Sequence, residues 1–193
     1  MNRTAWCGCF ALALLGCKDS RLEQVSVPAT EARRAEPTAK RTTTNVAAGI
    51  ETIGDFQIVE LTPAGGPVCD QLRQRREAAR GRVFIAETTA EWCRPCKSFT
   101  KYLRDPAMTK ALAGVTLARI DFDRFSGELA GCGLSTVGVP FFAIFDDQLH
   151  PIDMISSSEW DDDVPTNMAP VLAAFAHGTL THRREPWHPA RPE

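Results

Sequence analysis

Apolar and polar residues alternate through Phe56-Gln57-Ile58-Val59-Glu60-Leu61, and this period of two predicts a strand with one face in a core. Residues 67–80 predict a helix, with Pro67 in its first turn and Gly81 as its stop. Val83-Phe84-Ile85-Ala86 is nearly continuous in apolar character, as in a strand covered on both faces. Phe99, Tyr102 and Leu103 then fall at helical spacing, with Lys97, Lys101 and Arg104 on other faces. Asp105 followed by Pro106 predicts a capped second helix that carries Met108, Ala111 and Leu112 and stops at Gly114. Val115 to Asp121 reads as another buried strand, residues 124–130 as a short helix, and Phe141-Phe142-Ala143-Ile144-Phe145 as a third buried strand. A turn at residues 146–148 leads to a fourth over 152–155. A last helix over 168–177 turns Leu172 and Phe175 inward and closes at Gly178. The polar, proline-rich end from 181 to 193 is expected to fray. Strand and helix alternate first, and a hairpin and a helix follow. That order calls for an α/β fold, a central mixed β-sheet flanked by helices on both faces, with an extra N-terminal strand and helix over residues 56–80.

The pattern is absent before residue 50. Residues 18–49 are mostly Thr, Ala, Arg, Glu, Lys and Pro, and such a stretch buries too little to offset its ordering entropy. The first 17 residues differ again. Arg3 precedes a short apolar run from Ala5 to Leu15, the layout of a secretory signal. Leu14-Leu15-Gly16-Cys17 resembles a bacterial lipobox, which implies lipid on Cys17. The expected organisation is a signal peptide over 1–16, a lipidated cysteine and tether over 17–50, a folded domain over 51–180 and a flexible tail over 181–193. The implied location is the cell envelope or periplasm, with a membrane anchor at Cys17. Cleavage there leaves Cys69, Cys93, Cys96 and Cys132 of the seven cysteines unmodified, in a compartment where disulfides persist. A net charge of -2 gives no electrostatic case for a nucleic-acid partner.

The chemistry concentrates in Trp92-Cys93-Arg94-Pro95-Cys96-Lys97, where a buried strand hands over to a helix. A sulfur at a helix N-terminus faces unpaired N–H groups and the positive end of the dipole, and both favour the thiolate that attacks disulfides. Two intervening residues put the second sulfur one turn inward. Cys93 is therefore expected to be the exposed nucleophile and Cys96 the buried resolving thiol. Pro95 suits a first turn because it has no N–H. Arg94 adds positive charge beside Cys93 and makes the couple more oxidising.

This segment resembles the active site of thioredoxins, and Gly138-Val139-Pro140-Phe141 resembles the family's cis-proline segment. Asp105-Pro106-Ala107-Met108, after a longer active-site helix, is similar to the C-terminal thioredoxin-like domain of DsbD-type thiol:disulfide interchange proteins. The resemblance covers roughly residues 81–178. It implies a cis Val139-Pro140 bond packed against the cysteines, with the Val139 backbone free to pair with an extended substrate and Trp92 shielding the thiolate. It also implies a buried acid six residues before the first cysteine, which is Glu87, to take the proton from Cys96. Two departures stand out. The family's lysine near that acid aligns with Leu117, so that pairing is expected to be absent. Ser156-Ser157-Ser158 follows the fourth strand in place of the family's glycine.

The expected function is thiol–disulfide exchange with protein partners, which needs no cofactor. The alternative is a Cu(I)-binding or metal-delivery module that uses the same two thiolates. Structural zinc wants four ligands, and neither the other cysteines nor the four histidines have the spacing to complete such a site, so no metal ligand is assigned. Cys69 and Cys132 either bridge the added helix to the core or stand as separate thiols.

Overall fold

A computed structural model describes residues 43–45, 49–134 and 138–188. The signal segment, Cys17 and most of the tether lie outside the described residues. Among the described residues seven strands form one sheet: β1 (Thr43–Asn45), β2 (Ile50–Ile53), β3 (Phe56–Leu61), β4 (Val83–Thr89), β5 (Val115–Asp121), β6 (Phe141–Phe145) and β7 (Pro151–Ser156), in the spatial order β1-β2-β3-β5-β4-β6-β7. The neighbours β3, β5 and β4 run parallel, and the other pairs are antiparallel. The mixed sheet matches the expected fold class. The strands β1 and β2 were not legible, because Thr, Asn, Glu and Ile in runs of three and four carry no usable alternation.

Among the described residues five helices cover the two faces: α1 (Val68–Ala78), α2 (Arg94–Tyr102), α3 (Pro106–Ala111), α4 (Phe122–Phe125) and α5 (Pro165–Ala176), so the helix expected over 124–130 is instead a single turn that starts at Phe122, where the Asp121 carboxylate caps it. One core packs α2, α3 and α5 on the sheet through Phe99, Met108, Leu172 and Phe175, with Ile58, Ile85 and Leu117 beneath. The opposite core packs α1, α4 and a 3-10 turn at Leu129–Cys132 on Val59, Ala86 and Ala118. Alternation along the strands makes this division: in β4, Phe84 and Ala86 face one core, and Ile85 faces the other.

Local signals set the helix ends. The Asp105 carboxylate accepts the N–H of Ala107 and opens α3 as predicted. Gly114 and Gly178 take positive φ just past the ends of α3 and α5, a region that disfavours other residues. The α1 N-terminus has no local cap. Glu128 supplies one from the Leu129–Cys132 turn by accepting the N–H of Val68 at 2.8 Å.

The end expected to fray from residue 181 is held at Arg183, Arg184, Glu185 and Trp187. Arg183 reaches Asp153 and the carbonyl of Met154 on β7. The N–H groups of Arg184 and Glu185 both donate to the buried carboxylate of Glu159, and Trp187 packs on the α1-side core. These partners are distant in sequence, so local composition concealed them.

Candidate active site

Parallel β4 ends at Thr89, and α2 begins at Arg94. The site lies at the carboxyl end of the parallel strands, where the termini of α/β folds converge on ligands. Cys93 is the N-cap of α2. Its Sγ accepts the N–H of Cys96 at 3.1 Å, so one of the helix's free donors points at the sulfur. Cys93 and Cys96 are joined as a disulfide, with Cα atoms 5.3 Å apart. Arg94 is exposed at the first helical position, and Pro95 follows inside the first turn.

The expected contrast in exposure is absent from this oxidised form. Cys93 is 3% exposed and Cys96 2%, because Ala90, Phe122 and Val139 pack around them. The Val139-Pro140 bond is cis and places Val139 against the cysteine pair. Its position is braced by Thr88, whose Oγ1 accepts the N–H of Phe141. Trp92 is 62% exposed. Its indole N–H donates to the Asp123 carboxylate, and its ring meets Phe122 edge-on at 6.4 Å. Trp92 thus stands as an apolar surface beside the disulfide, fastened to α4.

Glu87 is fully buried on the α2 face of β4. The family's lysine pairing is absent, yet Glu87 has a basic partner that the sequence reading missed. Leu117, the position aligned with the family's lysine, is buried in the core between Ile58 and Ile85. Arg119, two residues further along β5, is paired in register with Glu87, and its Nε donates to Oε2 at 2.7 Å. Arg119 also donates to Glu60 at 3.0 Å and to the Thr100 hydroxyl at 2.7 Å, and that hydroxyl donates to the carbonyl of Cys96. A signal was present in the sequence, since an arginine inside an otherwise apolar buried strand needs an anionic partner.

Burial pushes the Glu87 carboxyl up to about 7, against the lowering charge and hydrogen bond of Arg119. Its Oε1 has no hydrogen-bond partner. Burial pulls Arg119 down, but the Glu87 and Glu60 carboxylates outweigh it and hold Arg119 above its ordinary value. The asymmetry has a plain cause. Arg119 meets two carboxylates, whereas Glu87 meets one guanidinium and buries an unpaired oxygen. A cleft of about 760 Å³ opens beside this group, with Cys96, Arg119, Glu60, Thr100, Lys97 and Lys101 among its lining residues.

On the opposite face, Cys69 of α1 and Cys132 are joined as a disulfide across 63 residues. Among the described residues, no group of three or more His, Cys, Asp or Glu side chains is placed to hold a metal ion. Among them also, no helix is long and apolar enough to cross a membrane.

No family model matches the chain. It is similar to the thiol:disulfide interchange protein DsbD of Haemophilus ducreyi, 30% identical over 83 residues, and of Escherichia coli K12, 32% identical over 82. These matches take in 42% and 41% of this chain and 14% of each relative, so the chain spans about a seventh of their length. Among solved structures, Trichomonas vaginalis thioredoxin is 24% identical with a TM-score of 0.39, covering 51% of this chain and 84% of that one. Malassezia sympodialis thioredoxin is 20% identical with a TM-score of 0.40, covering 62% and 93%. The strand order and the helices on both faces are those of a thioredoxin-like fold, and about two fifths of the chain is similar to a part of DsbD.

Proposed function

We propose that this chain is a thiol–disulfide oxidoreductase that exchanges disulfides with protein partners. The observation that carries the reading is the Cys93 sulfur at the tip of α2, receiving a helix N–H, with a second sulfur one turn inward and a buried acid on the neighbouring strand. A helix-tip sulfur is stabilised as thiolate once the disulfide opens.

In the reductive direction Cys93 Sγ attacks a partner disulfide, and one partner sulfur leaves as thiolate. Cys96 then attacks Cys93 Sγ, the Cys93–partner bond breaks, and the Cys93–Cys96 bond forms. The proton of the Cys96 thiol passes to Glu87, whose raised pKa suits it to accept and release a proton near neutral pH. Val139 and Pro140 offer backbone beside the sulfurs to an extended substrate, and exposed Trp92 adds apolar contact. Arg94 makes the couple more oxidising by favouring the Cys93 thiolate.

The same reading puts the protein in a bacterial cell envelope, exported by the segment 1–16 and held by lipid on Cys17, with the residues between Cys17 and β1 as a tether, since β1 and β2 take the end of the expected 17–50 tether into the sheet. The organisation of the sequence and the partial homology to DsbD support this.

The test is trapping from envelope extract. Cys96→Ser should accumulate mixed disulfides through Cys93, and Cys93→Ser should accumulate none. Equal trapping by both variants overturns the assigned roles. Stoichiometric Cu(I) retention by the reduced protein, with no insulin reduction, overturns the activity.

A further inference from the structure

Glu60, Arg119 and Glu87 are directly opposite one another on three adjacent parallel strands, β3, β5 and β4. Two residues earlier on the same face, Ile58, Leu117 and Ile85 form the matching row and are part of the core. A carboxylate–guanidinium–carboxylate row therefore replaces an apolar one at the end of the sheet nearest Cys96. Its members differ in access to water. The Glu87 side chain is sealed, Arg119 is 10% exposed, and Glu60 is 57% exposed on the cleft that Cys96 also lines.

A single buried pair would create a difficulty for the proposed reaction. When Glu87 takes a proton it becomes neutral, and a guanidinium paired only with Glu87 would be left as an uncompensated buried charge. Such a charge costs several kcal/mol in proteins, on the order of the whole penalty for breaking a buried pair. Glu60 removes the difficulty. Its carboxylate accepts from Arg119 Nη1 while Glu87 accepts from Nε, so the two acceptors do not compete for one donor.

We propose that Glu60 is a positioning residue for the dithiol chemistry: it is the standing counter-ion of Arg119, and it lets Glu87 alternate between charged and neutral forms without unbalancing the guanidinium. The inference rests on the reading of Glu87 as proton acceptor. In the resolving step the Cys96 thiol gives its proton to Glu87, the Cys96–Cys93 bond forms, the partner leaves as thiolate, and the charge on Arg119 stays balanced by Glu60 throughout. Arg119 also stays on the Thr100 hydroxyl, which donates to the Cys96 carbonyl, so the first turn of α2 keeps its anchor in both protonation states. Glu60 acts on Glu87 through charge alone, and its negative charge favours the neutral form of Glu87. Other charges line the same cleft: Lys97 and Lys101 from α2, Glu91 from the turn before it, and Asp121 from the end of β5. The lysines and Glu91 are exposed, so salt screens them more than it screens the in-register row. From β6, the residue facing Glu87 is apolar Phe142.

The test is the pH dependence of mixed-disulfide resolution in the full chain, followed by release of a model disulfide peptide at high salt. It runs beside a titration of Glu87 in protein carrying carbon-13 in its glutamate carboxyls. Glu87→Gln comes first: it should remove the limb assigned to Glu87, and if the limb persists, the reading of Glu87 fails and this inference with it. Where Glu87→Gln removes the limb, Glu60→Gln should move its midpoint toward acid by about one pH unit, because Glu87 loses a repelling neighbour and gains the undivided attraction of Arg119. Glu60→Asp should move it less. An unmoved midpoint in Glu60→Gln overturns the counter-ion role alone. Loss of the limb in Glu60→Gln also overturns it, since Glu60 would then share in the proton transfer instead of standing as a fixed counter-ion. The half-exposed side chain of Glu60 makes the variant tolerable to the fold, and the carboxyl titration reads the shift even where activity is low.

Discussion

The two disulfides lie on opposite faces of one sheet, and they differ in almost every property that decides what a disulfide does. Cys93–Cys96 closes a loop of only three residues, at a helix tip, beside a cis-proline bond, an exposed tryptophan and a buried acid. Cys69–Cys132 closes a loop of 63 residues between α1 and the Leu129–Cys132 turn, packed on aliphatic core. Loop-closure entropy alone assigns about 4 kcal/mol to the longer crosslink and between about 1 and 2 kcal/mol to the shorter one. The bond that holds the fold together least is the one surrounded by groups that stabilise its open form. A protein that must open one disulfide repeatedly keeps its fold best when that disulfide contributes little to stability.

The comparison can be broken most severely at the sulfur. Cys93→Ser should reduce disulfide exchange to the uncatalysed background, as read by insulin reduction, while thermal melting of the variant stays within a few degrees of the parent. Cys69→Ser with Cys132→Ser should do the reverse. It should lower stability by about 4 kcal/mol, roughly 10 °C in Tm, and leave the Cys93/Cys96 reduction potential unchanged. A large change in that potential would mean that the two faces of the sheet are coupled.

Glu87→Gln sharpens the contrast through pH. The carboxyl titrates near 4.5 in the unfolded chain and near 7 in the fold. Below the lower value it is protonated in both states and carries no penalty. As pH rises toward the higher value the unfolded chain releases its proton first, so stability falls by roughly 3 kcal/mol and then levels off. Melting curves from pH 4.5 to 8 should show this decline in the parent and lose it in Glu87→Gln. The double cysteine variant should keep the decline, since the pH dependence belongs to the other face.

The smallest effect is expected at Glu128. It caps α1 from the turn that carries Cys132, so Glu128→Ala should cost about 1 kcal/mol in denaturant unfolding. The loss should persist when Cys69 and Cys132 are reduced, because cap and crosslink are separate ties between the same two segments.

Much of this was open to a reading of the chain. The buried strands, the capped helices and the cysteine pair at a strand-to-helix junction all follow from period, capping and spacing, which are local. The Glu87 position was legible, and its surroundings were not. Leu117 stands where the family has its lysine, yet Arg119 meets the acid from two residues further along, because pairing across parallel strands depends on register and not on distance along the chain. The hold on residues 183–185 escaped for the same reason, since Asp153 and Glu159 come from earlier elements.

By itself the sequence determined which central segments are strands and which are helices, though not β1, β2 or the first turns of α4 and α5, and it put one thiol at a helix tip with another a turn behind it. Those features depend on neighbours within about four residues, so a linear reading suffices. Only the tertiary structure decided that Glu60, Arg119 and Glu87 form one row, that Cys69 finds Cys132 and that both active-site sulfurs are covered. Each of these joins residues separated by tens of positions, and the closeness of such residues is set by strand order and register after the chain has packed.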